Sequence, residues 1–267
     1  GVEYTCTNLL GGALGRLIAA AAEELGIPTM NVWVAGETRM NLSVVHQYEG
    51  RNDVQVVNES GPRMSPDEVA ELKRVFIDTL RRDHMVVVSG SVVPGFTPDD
   101  LRELAARATS AGASLAVDIA GDWLRALVQE APVILKVNDD ELRLAFDVDP
   151  EKLSELTAFR DRYRIRELII TYGARGAVAL TKEGRLRAVP PDIQANYAVG
   201  SGDSFFAAYL HSRRSGAPLG EALRNASACG TANATKYGAA LITRGDYESF
   251  RHRIRIEEVR DEQLFRD

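Results

Sequence analysis

Cysteine is almost missing from this chain. Cys6 and Cys229 are the only two, too few and too far apart for a disulfide framework or a structural zinc site. The four histidines, His46, His84, His211 and His252, show no ligand spacing. No apolar run is long enough to cross a bilayer as a helix, and no basic, apolar, small-residue leader opens the sequence. Surplus positive charge is absent as well. The net charge is −6 and the basic residues are scattered, which argues against nucleic-acid binding. Low-complexity tracts and internal repeats are not visible. These absences leave an ordinary globular chain of 267 residues, expected in the cytosol. That length suits one large α/β domain or two small ones, with a substantial core.

What is present alternates between strand and helix. Val2 to Leu10 has strand-type residues, Gly11-Gly12 break it, and alanine-rich Ala13 to Leu25 predicts a helix stopped by Gly26. Three short β-rich runs follow, Thr29–Ala35, Met40–Tyr48 and Val54–Asn58. Polar turns at 36–39 and 49–53 separate them. These runs suit a flap or lid at one sheet edge better than a parallel sheet. Ser65-Pro66-Asp67-Glu68 marks a helix start, with a cap, a first-position proline and first-turn acids. Met85 to Ser91 is a continuous apolar run ending in small residues, as a buried parallel strand does. Further strand and helix runs continue to Tyr163: helix 99–111, strand 114–119, helix 121–129, strand 133–137 and helix 151–163. Leu168 to Thr171 is a strand, and 177–180 with 186–189 read as an edge hairpin around Lys182-Glu183-Gly184.

The most informative stretch is Asn196 to Ala208, NYAVGSGDSFFAA. The turn Gly200-Ser201-Gly202 feeds an apolar helix ending near Gly216. Free amides at a helix start converge on one spot where the macrodipole favours an anion. Asp203 follows at once. It either caps the helix together with Ser201, a common role, or does chemistry, such as taking a proton from an attacking hydroxyl.

AVGSGDSFFAAY resembles the second signature of the PfkB (ribokinase-like) carbohydrate kinases, in the form found in 1-phosphofructokinases and tagatose-6-phosphate kinases. The resemblance runs along nearly the whole chain. It implies a single α/β domain over 1–267, with a ribokinase-like, doubly wound, mainly parallel sheet flanked by helices and a small β lid near 29–58. It also implies an ATP-dependent kinase of a ketohexose phosphate. In that family the aspartate, here Asp203, is the catalytic base, and the turn Gly200, Ser201, Gly202 is the anion hole. GETRMN resembles the segment whose arginine and asparagine, here Arg39 and Asn41, face the sugar phosphate, and a guanidinium fork matches phosphate oxygens. SGSVVPGF, with Ser89 and Gly90, resembles the family loop at the site rim. KVNDDEL resembles KPNxxEL, which implies Lys136 and Asn138 near the nucleotide phosphates. It also implies Asn138 and Glu141 organising Mg²⁺ and its waters; for Glu141 a helix-dipole role weighs equally. TYGARG, with Thr171, Gly173, Arg175 and Gly176, sits where the family contacts ribose and phosphates. Gly230 and Asn233 lie on a small-residue helix, 219–236, which walls the adenine pocket in the family.

Kinases of this type also carry an opening strand, an acid that grips sugar hydroxyls, and a GGKGxN segment. The sequence contains neither the acid nor that segment. Two expectations follow: a truncated form of an ordinary kinase, which we favour because Asp203 and its turn are intact, or a nucleotide-binding pseudokinase. A kinase of nucleosides, adenosine among them, or of vitamins or other small alcohols on the same fold is a further alternative, in which Arg39 would have no task. Open lid edges predict a homodimer paired through the lid.

Overall fold

The computed structural model describes residues 2–48, 51–260 and 262–265, the side chains of 47, 48 and 51–53 excepted. It divides into two compact units, Gly1–His46 with Asp53–Val86 and Gly90–Ser114, and Gln47–Asn52 with Val87–Ser89 and Leu115–Asp267. Glu49 and Gly50 of the second expected turn lie outside the described residues.

The smaller unit opens with β1 (Cys6–Leu10), α1 (Gly12–Glu24) and β2 (Thr29–Trp33). The two strands pair in parallel, Cys6 opposite Thr29 and Leu10 opposite Trp33. The run from Thr29 is therefore the return strand of a βαβ unit and not a lid strand. A helix lies between β1 and β2, as a parallel crossover requires. The other two runs form their own two-stranded sheet, β3 (Asn41–Tyr48) and β4 (Arg51–Asn58). Then come α2 (Pro66–Thr79), β5 (Met85–Gly90) and α3 (Pro98–Ser110). Both helices start with a reciprocal capping box, Ser65 with Glu68 and Thr97 with Asp100. This arrangement satisfies amides that the first helical turn otherwise leaves free. Lys73 on α2 ties the pair together through Asp100 at 2.6 Å and Glu103 at 2.7 Å.

The larger unit is α/β, as the alternation predicts. In chain order it comprises β6 (Ser114–Ile119), α4 (Gly121–Leu127), β7 (Ile134–Asn138), α5 (Asp139–Phe146), α6 (Leu153–Arg162) and β8 (Glu167–Thr171). The remaining elements are β9 (Ala177–Leu180), β10 (Arg185–Val189), α7 (Ser201–Arg214), α8 (Leu219–Ala234), α9 (Arg244–Arg251) and β11 (Arg255–Glu258). One seven-stranded sheet takes the order β11-β10-β9-β8-β7-β6-β5. Strands β6, β7 and β8 run parallel, and β9, β10 and β11 extend the sheet antiparallel. Its core is fully buried: Leu135 and Val137 on β7, Leu168, Ile169 and Ile170 on β8, Val178, Ala179 and Leu180 on β9. Each leucine, isoleucine or valine among them contributes roughly 1.5–3 kcal/mol by leaving water.

Two expectations about strand position change. The 177–189 hairpin is internal, because β11 covers β10. Strand β5 stands at the end of the sheet order, and Val87 is 46% exposed. Its apolar run suits a strand covered on both sides, but among the described residues only β6 pairs with it.

Candidate functional site

Helix α7 is set apart from the other described helices by a left-handed N-cap residue. Its N-cap, Gly200, has φ +82°, and no side chain caps it. A β-carbon at Gly200 would lie 2.6 Å from that of Ala239, so glycine is demanded by both conformation and space. The Ser201 hydroxyl is turned inward and accepts from Asn233 Nδ2 at 3.0 Å. Asp203 is exposed, and its Oδ1 accepts from Ser89 Oγ at 3.4 Å. Neither Ser201 nor Asp203 caps α7 through a side-chain hydrogen bond. The amides of Gly202 and Asp203 have no hydrogen-bond partner among the described residues. An uncapped helix start with two free amides and an adjacent carboxylate can receive an anion and take a proton beside it.

Asn233 holds this turn in place. It is 0% exposed. Its Nδ2 donates to the Val199 carbonyl at 2.9 Å as well as to Ser201, and its Oδ1 accepts from the Ala240 amide at 2.8 Å. With both ends occupied in the interior it cannot touch a nucleotide directly, which corrects that expectation. Gly230 is likewise a packing residue. A β-carbon there would stand 3.1 Å from the Ser201 carbonyl oxygen and 3.4 Å from Phe205 Cβ, so its absence lets α8 approach α7.

Beneath the turn lies Lys136, 5% exposed, with its Nζ 2.8 Å from both carboxylate oxygens of Asp118. A β-carbon on Gly202 would be 3.3 Å from that Nζ. Burial pushes the Asp118 carboxyl up, Lys136 opposes this, and the charges of Glu141 and Asp203 add to the rise. Asp118 escaped the sequence reading, although a lone acid at the carboxyl end of the apolar strand SLAVDI was a usable signal.

Asn138 and Glu141 form a capping box on α5. The Glu141 amide donates to Asn138 Oδ1 at 2.7 Å, and the Asn138 amide to Glu141 Oε2 at 2.9 Å. The helix-terminal role of Glu141 is thus real. Its second carboxylate oxygen remains, and hard oxygen donors suit Mg²⁺, which keeps most of its water. No cluster of three or more His, Cys, Asp or Glu that could hold a metal exists among the described residues. The donor set therefore fits a water-mediated Mg²⁺ and not a protein cage.

At the carboxyl end of β8, Thr171 hydrogen-bonds the Val137 carbonyl at 3.5 Å, and Gly173 and Gly176 take φ +56° and +95°. Arg175 is already engaged, with Glu151 at 2.6 Å, with Asp139 at 3.0 Å, and over the Phe265 ring at 4.3 Å. Its guanidinium does not stand free for a phosphate.

In the smaller unit, Glu37 reaches the N-terminus of α1 and accepts from the Ala13 and Leu14 amides at 3.1 and 2.6 Å. Thr38 Oγ1 accepts from the Gly11 amide at 2.8 Å. These bonds fix the loop that presents Arg39, whose Nη2 donates to Ser91 Oγ at 2.5 Å. Asn41 is exposed at the start of β3, and Gly90 has φ +96°. A cavity of about 480 Å³ next to this loop is lined by Glu37, Glu59 and Arg63. With two carboxylates against one guanidinium it suits an anion less well than Arg39 does.

A family model described as pfkB family carbohydrate kinase matches residues 1–244. A 1-phosphofructokinase of Borreliella burgdorferi is 27% identical over 263 residues, 97% of this chain and 83% of that protein. Phosphofructokinase-2 of Escherichia coli, solved with substrates and products, aligns with a TM-score of 0.86 at 23% identity, covering 93% of this chain and 81% of that one. A tetrameric inhibited form of the same enzyme aligns at 0.82, also at 23% identity, over 93% of this chain and 81% of that one. The structural likeness speaks for the fold.

Proposed function

The chain belongs to the pfkB family of carbohydrate kinases, and from that premise we propose that it transfers the γ-phosphoryl of ATP to a hydroxyl of a ketohexose phosphate. A kinase of sugar phosphates agrees with the name of the Borreliella relative. The candidates are fructose 1-phosphate, fructose 6-phosphate and tagatose 6-phosphate.

The observation that carries the reading is the uncapped start of α7, with two free amides and an exposed Asp203. Asp203 deprotonates the acceptor hydroxyl, which attacks the phosphorus in line. The amides of Gly202 and Asp203 meet charge as it grows on the phosphoryl oxygens; donors fixed beforehand need no reorganisation at that moment. Asn138 and Glu141 would hold Mg²⁺ through its waters, and the ion would screen the triphosphate. Thr171, Gly173 and Gly176 offer backbone and hydroxyl groups to the nucleotide. Arg39 and Asn41 bind the phosphate the sugar already carries, and Ser91 steadies Arg39 until it arrives. On this reading residues 1–267 act as one kinase domain in the cytoplasm. The exposed apolar residues Leu42, Val44 and Val57 on the β3–β4 hairpin support pairing of two copies there.

The test is a coupled ADP-release assay with Mg·ATP and a panel of ketohexose phosphates, free sugars and nucleosides. Turnover confined to one ketohexose phosphate is the expected result. Preference for a free sugar or a nucleoside removes the role of Arg39. Silence across the panel, with ATP still raising the melting temperature, would identify a non-catalytic nucleotide-binding protein.

A further inference from the structure

We propose that Asp118 is a positioning residue for phosphoryl transfer, holding the Lys136 ammonium under the Gly200–Gly202 turn where the transferred group passes. The inference rests on the kinase reading above.

Three observations carry it. First, the register of β6 and β7 pairs Ala116 with Ile134 and Val117 with Leu135, so the next pair is Asp118 with Lys136. The two charges are presented side by side by adjacent parallel strands, at the carboxyl ends where such sheets bind ligands. Second, both Asp118 oxygens lie 2.8 Å from Nζ, and Asp118 is the only hydrogen-bond partner of the Lys136 ammonium among the described residues. An ammonium has three donors, and one carboxylate does not exhaust them. Third, Gly202 is the residue whose missing side chain leaves Nζ its place, 3.3 Å from where a β-carbon would be. The turn that carries the free amides and the buried ammonium are thus immediate neighbours.

A purely structural pair is the competing explanation. Buried ion pairs are often replaceable by apolar residues without loss of stability, so stability alone gives little reason for one here. Placement beneath an anion cradle gives a reason. Asp203 and Glu141 put two more negative charges near Asp118, and Lys136 is the cation that offsets them. Without Asp118 the lysine side chain is free to swing toward those carboxylates and away from the phosphoryl path. Asp118 itself touches no reactant.

The experiment compares wild type, Asp118→Asn, Lys136→Met and the double variant by calorimetry. The probes are Mg·ADP alone and Mg·ADP with aluminium fluoride, a mimic of the phosphoryl group in flight. Melting temperatures are recorded alongside. We expect Asp118→Asn to weaken the aluminium fluoride complex at least tenfold while Mg·ADP alone stays within twofold. The double variant should regain melting temperature, having lost the unpaired buried charge, and still bind the mimic no better than Lys136→Met. If it regains mimic affinity together with stability, or if Asp118→Asn binds both probes alike, the inference is overturned. Where Asp118→Asn does not fold, the double variant decides by the same comparison. Because no acceptor is involved, the kinase reading fails separately: wild type that binds the mimic but phosphorylates nothing sinks that reading alone. Wild type that binds neither probe sinks both.

Discussion

At the scale of single residues, the proposed function divides the chemistry between Asp203 and Arg39, and their substitutions should separate in kinetics. Asp203→Asn keeps the shape of the α7 turn, so it should lower kcat by about 10²–10⁴-fold, the usual worth of a general base. ATP binding, measured by calorimetry, should hardly change. Equal loss of binding would make Asp203 a structural residue after all. Arg39→Ala should raise KM for the sugar phosphate roughly ten- to a hundredfold, as loss of charged hydrogen bonds does, with KM for ATP little moved. A parallel shift in both constants would remove Arg39 from the acceptor side. As candidates, the turn Gly200-Ser201-Gly202-Asp203 and Arg39 were legible in the sequence, because a glycine turn at a helix start and an arginine in a short polar turn are local patterns. What stayed hidden depends on what lies opposite a side chain in space. Asn233 looked like a pocket wall residue, but it spends every hydrogen bond inside the protein. Arg175 looked like a free cation and is shared by Glu151 and Asp139. Asp118 was invisible until the register of β6 and β7 set it against Lys136.

At the scale of elements, helix starts differ: the N-cap residues of α1, α4, α6 and α8 make no side-chain cap bond, and only α7 starts on a left-handed residue among the described helices. Helices α2, α3, α5 and α9 all carry reciprocal capping boxes, and α7 has a left-handed glycine and open amides. Ser65→Ala should therefore cost only stability, about 1 kcal/mol, or a few degrees in melting temperature, with kcat unchanged. Gly200→Ala should cost roughly 1–2 kcal/mol from its backbone angle alone and, by displacing the turn from Ala239, most of the activity. Activity that survives this change would show that the turn is not the anion site. The cap of α9 gives a pH signature. The Lys236 ammonium and the Thr243 hydroxyl and amide hold the Asp246 carboxyl down at about 2, below its ordinary 3.8. A carboxylate lowered in the fold stabilises above its unfolded value, and that contribution is lost as pH falls from about 4 toward 2. The melting-temperature gap between wild type and Asp246→Asn should thus be constant near neutrality and narrow below pH 4. Such starts as S-P-D-E can be read directly, since cap and partner lie three residues apart. The edge strand β11 could not be. Arg-Ile-Glu-Glu reads as a charged loop, and only pairing with β10 makes it a strand. The solvent face of β5 is the opposite case, an apolar pattern that suits burial at a position where burial is incomplete.

At the scale of the whole molecule, the residues proposed for the nucleotide and those proposed for the phosphate the sugar already carries fall in different compact units. Lys136, Asn138, Thr171 and Gly173 belong to the larger, together with the proposed base Asp203, while Arg39 and Asn41 belong to the smaller. The alternation of strands and helices made the α/β class legible, but not this division, because Val87–Ser89 joins the larger unit from within a segment otherwise in the smaller. The division has a measurable consequence for amide hydrogen exchange. A ligand at a hundredfold its dissociation constant stabilises what it binds by about 2.7 kcal/mol. For amides that exchange only when their unit opens, that slows exchange by roughly a hundredfold. Mg·ATP alone should therefore protect peptides covering 171–176 and 196–208, and leave 36–41 near its ligand-free rate. A ketohexose phosphate alone should do the reverse for 36–41, because Arg39 gains a phosphate partner and the loop pinned by Glu37 and Thr38 tightens around it. Protection of 36–41 by Mg·ATP without protection of 196–208 would exchange the two assignments, placing the nucleotide on Arg39 and leaving Asp203 without a phosphoryl group to serve.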